Sequence, residues 1–436
     1  MREADLLFLK KLLIREVVPA TGCTEVGAVA LATGCAMQAL ADPVEKIEDV
    51  LIEVDERTYK NGLGVGIPGT GEVGLEFAAA MGVTSSKNVE RGLQILENPG
   101  KDAINKAKTL IQEKKIHLAR TPYVKEILVW AKIRSHSNEA CAVIRGSHDH
   151  VVSVERNGKP CHAISVQEEE VEKIYERVKG MDYRTLIEFV KTMNVAEYPI
   201  LQQSMEMNMH FTEKAMEDLS NLEMGKVMEK HEEPSPNEKR LPSRIQHITA
   251  VVVEARMRGL DFPVMACAGS GNQGLVATIP VVETAKATKA SHEHLLRALA
   301  LSYLTTIYIK SFTGLLSPIC GCGLAAAVGA GCGIVYLLGG DTQQIEAQIN
   351  NMVGTMAGMI CDGAKSGCSL KALMAVGLAV DSAYLSLENI RIPETEGIIG
   401  KGILETLQNL QRIIEAGMPT MDSVIVELME AKSSKD

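Results

Sequence analysis

The chain is 436 residues long, more than one hydrophobic core usually serves, and 46% of it is hydrophobic, so two folded domains are expected. Its 45 basic against 55 acidic residues leave a net charge of −10, which speaks against nucleic acid or an anionic membrane as partner and for a small molecule. Ten cysteines follow an N-terminal stretch, MREADLLFLKKLL, that is charged and amphipathic and does not pattern as a secretory leader. The expected setting is therefore the reducing cytoplasm, where such cysteines are catalytic, metal-binding or buried rather than paired.

Residues 1–18 pattern as an amphipathic helix that stops before Pro19, and after the turn PATGCTE a second, alanine-rich helix runs over 24–41. Cys23 stands at its head. An alternating strand over 50–56 and the glycine-dense run NGLGVGIPGTGEVG over 61–74 come next, then helical patterns near 87–95 and 100–114. Four short β-rich runs, 126–134, 140–145, 150–156 and 161–166, are separated by turn residues, among them Asn157-Gly158, the strongest hairpin signal in the chain.

The fold class expected is α+β. A mixed first domain (1–180) holds an antiparallel sheet, strands stop near 168, and an all-α domain (181–436) follows, broken by an exposed proline-rich loop near 231–242. Residues 311–340 carry no charge and exceed the ~20 that cross a bilayer, yet Pro318 and several glycines interrupt them. A buried helix over 324–338 is expected instead of a membrane span, with Ala325, Gly329 and Gly333 as a ridge that lets a neighbour approach.

The chemistry concentrates in ICDGAKSGC (360–368), where Cys361 and Cys368 flank the turn signal Asp362-Gly363. In one continuous helix these thiols would stand about 10 Å apart along the axis, too far for one small inorganic centre, so a bend must bring them closer. A helix follows, and its N-terminus would favour a thiolate at Cys368. Cys320, after the helix breaker Pro318, offers a third thiol. Three thiolates suit a 4Fe-4S cluster with one open iron or a zinc site with an open fourth position, and spacing alone does not choose.

Two glycine patterns, Gly64-Gly66-Gly69 and Gly269-Gly271-Gly274, lack the helix start that dinucleotide binding requires, the second because Pro280 and branched residues follow. In GSGNQG (269–274), Ser270, Asn272 and Gln273 read as neutral hydrogen-bonders on a flexible turn that grips a carboxylate or amine. His148 and His150 read as a solvated strand edge, and the remaining cysteines, Cys322 included, as small buried hydrophobes.

The segments PATGCTEVGAVAL (19–31), KNGLGVGIPGTGEVGL (60–75), GSGNQGLVATIPVV (269–282), LSPIC (316–320) and ICDGAKSGC (360–368) together resemble the L-cysteine desulfidase family, itself related to the iron-sulfur L-serine dehydratases. The resemblance spans nearly the whole chain in the same order. It implies an oxygen-sensitive 4Fe-4S enzyme, free of pyridoxal phosphate, that converts L-cysteine to pyruvate, ammonia and sulfide. L-serine dehydratase is the alternative within enzymes, and a non-catalytic iron-sulfur sensor the alternative of another class. Cys320, Cys361 and Cys368 fall on the family's cluster ligands. Cys23 falls on its Gly-Cys-Thr-Glu cysteine, as a base activated by its helix N-terminus or as a fourth ligand at rest. The dehydratases can carry a cluster-capping cysteine near the C-terminus, where this chain reads AKSSKD. Thr21, Lys60, Asn61, Ser270, Asn272 and Gln273 are the expected holders of a small amino-acid substrate, and a homodimer is an assembly the sequence permits.

Overall fold

A computed structural model describes residues 3–122, 124, 126–161, 171–231 and 241–433. In its first part α1 (Glu3–Glu16), β1 (Val17–Thr21), α2 (Thr24–Leu40), β2 (Ile47–Asp55), α3 (Glu56–Gly62), α4 (Leu75–Thr84) and α5 (Lys101–Gln112) precede five strands. These are β3 (Ile116–Thr121), β4 (Leu128–Ser135), β5 (Glu139–Arg145), β6 (Val151–Arg156) and β7 (Lys159–Pro160). Four helices follow, α6 (Val171–Lys179), α7 (Tyr183–Thr192), α8 (Pro199–Glu217) and α9 (Glu223–His231). Next come α10 (Leu241–Met257), β8 (Pro263–Cys267), α11 (Gly271–Thr288), α12 (His292–Thr313) and α13 (Ala327–Leu337). The last four are α14 (Thr342–Met356), α15 (Cys368–Leu387), α16 (Ile403–Arg412) and α17 (Met421–Ser433). The fold is α+β, with a mixed sheet in the N-terminal region and helices in the C-terminal region.

The six-stranded sheet runs β3-β2-β4-β5-β6-β7. Strands β4 and β5 alternate inward and outward residues, so Val129, Ala131 and Ile133 line one face with Ala140, Ala142 and Ile144. That face packs on α2, which is small-residued and buried at every position but Gln38. Gly82 of α4 lies against the Ala30 carbonyl of α2, a contact that leaves no room for a Cβ. The sheet is antiparallel except at its edge, where β3 runs parallel to β2 from Val50↔Ile116 to Asp55↔Thr121. That departure from the expected antiparallel sheet arises because IHLART is too short for a hydrophobic period to announce it.

Two further strands correct the sequence reading. β1 forms where a helix end and a turn were expected, and β8 forms beyond the point where strands were expected to stop. They pair antiparallel from Val17↔Cys267 to Thr21↔Pro263 and so tie the first residues to the helical region. Branched Val17 and Val18 favour the extended chain, while the buried run PVMAC has no periodicity that separates strand from helix. A third correction concerns GSGNQG. It is a strand-to-helix corner, with Ser270 as N-cap of α11 and Pro280 inside that helix.

The expected small-residue ridge is present: Gly329 lies against Ser302 and Thr306, and Gly333 against Ala298, so α12 is the neighbour it admits. α15 is the one described helix long and apolar enough to cross a membrane, and half of it is buried in the fold. Most of the strand expected over 161–166 and of the loop near 231–242 lies outside the described residues.

Candidate active site

The chain turns sharply into α2. Gly22 takes φ +75°, and a Cβ there would stand 2.6 Å from Pro68, so only glycine fits. Cys23 is the N-cap that follows, 4% exposed, and its thiol donates to Glu25 Oε2 at 2.7 Å rather than capping the helix. Asn61 Nδ2 donates to the other oxygen, Glu25 Oε1, at 2.7 Å. The Cys361 thiol in turn points at Asn61 Oδ1, 3.8 Å away. One buried chain of groups thus runs Cys23, Glu25, Asn61, Cys361, joining two blocks 300 residues apart in sequence.

The charges along this chain do not follow the simplest expectation for a helix N-terminus. Burial, then the Glu25 carboxylate, push the Cys23 thiol well above its ordinary range, although Arg256 pulls the other way. Burial alone would raise Glu25, but His148 and the hydrogen bonds from Cys23 and Asn61 outweigh it and hold its carboxyl below the usual range. The proton therefore rests on sulfur and the negative charge on Glu25. Cys368 departs in the same way: burial drives it up to about 12 despite its place at the head of α15.

The two cysteine loops are laced together by backbone. Ile319 and Ile360 form an isolated antiparallel bridge, Cys320 N–H donates to Met359 O at 2.8 Å, and Cys361 N–H donates to Pro318 O at 2.7 Å. The bend expected in ICDGAKSGC is there, with Gly363 at φ +96°. Asp362 pairs with Lys365 and Lys371, which closes the loop on the first turns of α15. Cys322, read from sequence as a buried hydrophobe, belongs to the group instead. Its thiol donates to Cys320, and with the Gly323 amide and Lys371 it holds Cys320 below the usual thiol range, while Cys322 itself is raised. Lys310 lies fully buried beside Cys361, Cys322 and Cys320; burial lowers it to about 8.

Three of the expected substrate holders already have partners. Lys60, 1% exposed, donates to Asp422 Oδ1 at 2.6 Å and to Cys361 O at 2.8 Å. Asn61 is committed to Glu25. Asn272 accepts from Arg256 Nη1 at 2.9 Å. Ser270 is only half-buried and makes no cap bond. Thr21 and Gln273 are both buried, and Thr21 Oγ1 and Gln273 Oε1 have no hydrogen-bond partner.

Four residues were not foreseen. His148, 2% exposed, is buried rather than solvated, and neither ring nitrogen has a partner. It faces Gly269, where a Cβ would stand 3.4 Å from Nδ1. A tight turn between β5 and β6 folds it inward, which alternation could not show. Glu25 was legible as the single charge of the apolar run TEVGAVAL, and Arg256 as one of two charges, with Glu254, that end the apolar run ITAVVVEARM. Asp422 carried no signal, being one acid among many near the C-terminus.

Glycines report how closely these blocks meet. A Cβ at Gly271 would stand 2.5 Å from Arg256, at Gly321 2.9 Å from the Gln273 amide, and at Gly363 2.6 Å from Lys60 O. All five sequence blocks therefore converge on one site. Among the described residues no three His, Cys, Asp or Glu side chains are arranged to hold a single metal ion. In a multi-iron cluster each thiolate takes its own iron, so its ligands stand further apart than those of one ion. Buried Cys320 and half-buried Cys322, Cys361 and Cys368 on two laced loops, with Lys60, Lys371, Lys310 and Arg256 around them, suit such an anionic, thiolate-bound group.

Comparison with known proteins places this geometry in a family. A sequence model described as serine dehydratase alpha chain matches residues 90–427, well over half of the chain. The chain belongs to the serine dehydratase alpha chain family. Full-length relatives agree: a UPF0597 protein of Clostridium tetani is 35% identical over 97% of both chains, and one of Clostridium perfringens 36% identical over the whole of both. A UPF0597 protein of Caldanaerobacter subterraneus is 34% identical over 98% of this chain and 99% of its own. Membership of the serine dehydratase family agrees with the relationship read from the five blocks; it does not single out cysteine as substrate.

Proposed function

We propose that this chain is an iron-sulfur lyase that removes a β-substituent from a small L-amino acid, and that L-cysteine is its substrate, giving pyruvate, ammonia and sulfide. The observation that carries the reading is the buried chain from Cys23 through Glu25 and Asn61 to Cys361, which links a proton-handling pair to the thiol group. Cys320, Cys361 and Cys368 would hold a 4Fe-4S cluster. When bound, such a cluster supplies an iron that acts as a Lewis acid on the departing group.

The chain's own residues account for the proton. Cys23 and Glu25 act as one hydrogen-bonded base: as the Cys23 sulfur takes the proton from the substrate α-carbon, its own proton passes across 2.7 Å to Glu25 in the same step. This differs from a cysteine activated by its helix N-terminus, since burial defeats that effect here. His148, with both nitrogens free of partners and close to Glu25, can carry a proton to the leaving sulfur or to solvent. The aminoacrylate product hydrolyses to pyruvate and ammonia in water. Burial of Cys23 and Glu25 keeps water from the pair until the substrate is seated.

L-serine as substrate is the second reading, favoured by the family's description. Anaerobically purified protein offered each amino acid decides between them: pyruvate with sulfide from L-cysteine is expected, and pyruvate from L-serine alone would overturn the desulfidase reading. Iron and acid-labile sulfide should be present in near-equal amounts. Cys361→Ser should lose the visible absorbance of the cluster, and an unchanged spectrum would remove Cys361 from the ligand set.

A further inference from the structure

Arg256 is among the largest fully buried side chains of the protein, 2% exposed at the end of α10. Its Nη1 donates to Asn272 Oδ1 at 2.9 Å and its Nη2 to the Gly22 carbonyl, while Nε has no partner. Among the described residues no carboxylate forms an ion pair with it. A buried guanidinium is costly without a counter-ion, because desolvation is not repaid by neutral acceptors alone. Cys23, Glu25, Cys322 and Cys368 lie near enough to act on its charge, so it neighbours both the proton-handling pair and the thiol group. Gly271 is what admits it: a Cβ there would stand 2.5–2.7 Å from three guanidinium atoms. Two residues along the same helix, Gln273 lies against Gly321, between Cys320 and Cys322, with Oε1 lacking a donor.

We propose that Arg256 is the anchor for the substrate's α-carboxylate and that Gln273 Oε1 receives its α-ammonium. A planar guanidinium matches a carboxylate as no lysine can, by paired N–H donors as well as by charge. The unpartnered acceptor on Gln273 answers the opposite end of the zwitterion. Binding by both ends orients the α-carbon and leaves only the β-substituent to distinguish one substrate from another. The assignment rests on the reading that an amino acid binds here, but not on which group leaves.

The test uses the cluster-loaded protein under anaerobic conditions and isothermal titration with L-alanine, which has both charged ends and nothing to eliminate. Wild-type protein should bind L-alanine at least about tenfold more tightly than L-alaninamide, whose acid end is neutral; tenfold is about 1.4 kcal/mol. Arg256→Gln should weaken L-alanine binding by at least about tenfold and abolish the preference over the amide, and Arg256→Lys should recover part of both. Gln273→Leu should weaken L-alanine while leaving propionate, which has no ammonium, unaffected. Equal binding of L-alanine and L-alaninamide by wild type overturns the assignment, and that comparison stands even where a variant fails to fold. So does an Arg256→Gln protein with unchanged cluster absorbance that binds L-alanine as wild type does. Wild-type protein that binds neither L-alanine nor propionate overturns the amino-acid reading itself.

Discussion

Glu25 earns its place in the site by accepting rather than by donating. Both its oxygens take hydrogen bonds, from Cys23 and from Asn61, so it is set to receive a proton without moving. Glu25→Gln keeps the shape and removes that capacity; kcat should fall by roughly 10²–10⁴, the usual contribution of a positioned proton carrier, with cluster absorbance retained. Loss of the absorbance together with activity would instead make Glu25 a structural support. Glu16 gives a separate pH signature. Burial raises its carboxyl from 4.5 to about 7, against the opposing bond from Tyr175. The folded protein therefore holds the proton more tightly than the unfolded one. Its contribution is complete below about 4.5 and is lost as the pH rises through about 7, a total of about 3 kcal/mol. Between about pH 5 and pH 8 the melting temperature of wild type should fall relative to that of Glu16→Gln; parallel curves would count against the shift.

Among the elements, α3 and α17 show how a short helix is held in place. Asp55 caps α3 by accepting from the Arg57 and Thr58 amides, and Asp422 at the start of α17 receives both Lys60 and Arg57 Nε, the latter at 2.9 Å. Arg57 Nη1 also donates to Leu316 O at 2.9 Å, just before the Cys320 loop. Asp422→Asn would keep an acceptor for Lys60 but leave its buried ammonium without a counter-charge. A loss of about 3–5 kcal/mol is expected from the midpoint of denaturant unfolding. The chain order of motifs and the main helices were readable because their hydrophobic periods are long. Cys23 at the head of α2 and Cys368 at the head of α15 followed from Gly-Cys and from the turn before a helix. What escaped was set by partners distant in sequence. β1 and β8 exist because they pair with each other, and His148 is internal because Gly269 leaves it space. Lys60 looked available because nothing near it in sequence announces Asp422.

At the scale of the molecule one buried cluster runs from Leu9 to Ile414, through the face of the sheet and the centre of the helices. β1 with β8, and α1 against α12, cross the boundary expected near residue 180. The two regions should melt together. Trp130, the single tryptophan, sits in β4 and reports the sheet, whereas far-ultraviolet circular dichroism is dominated by helices. Coincident thermal transitions by the two probes are expected; a clear separation between them would mean that the regions unfold independently.

The bridge between Ile319 and Ile360 bears on how iron would be acquired. Cys320 and Cys361 are separated by some forty residues, and in a disordered chain their sulfurs would meet only against the entropy of closing that loop. Folding has already met that cost, because the two backbones are hydrogen-bonded on either side of the bridge. The folded chain thus keeps Cys320 and Cys361 at a high effective concentration toward one another, and an incoming cluster would not have to close that loop.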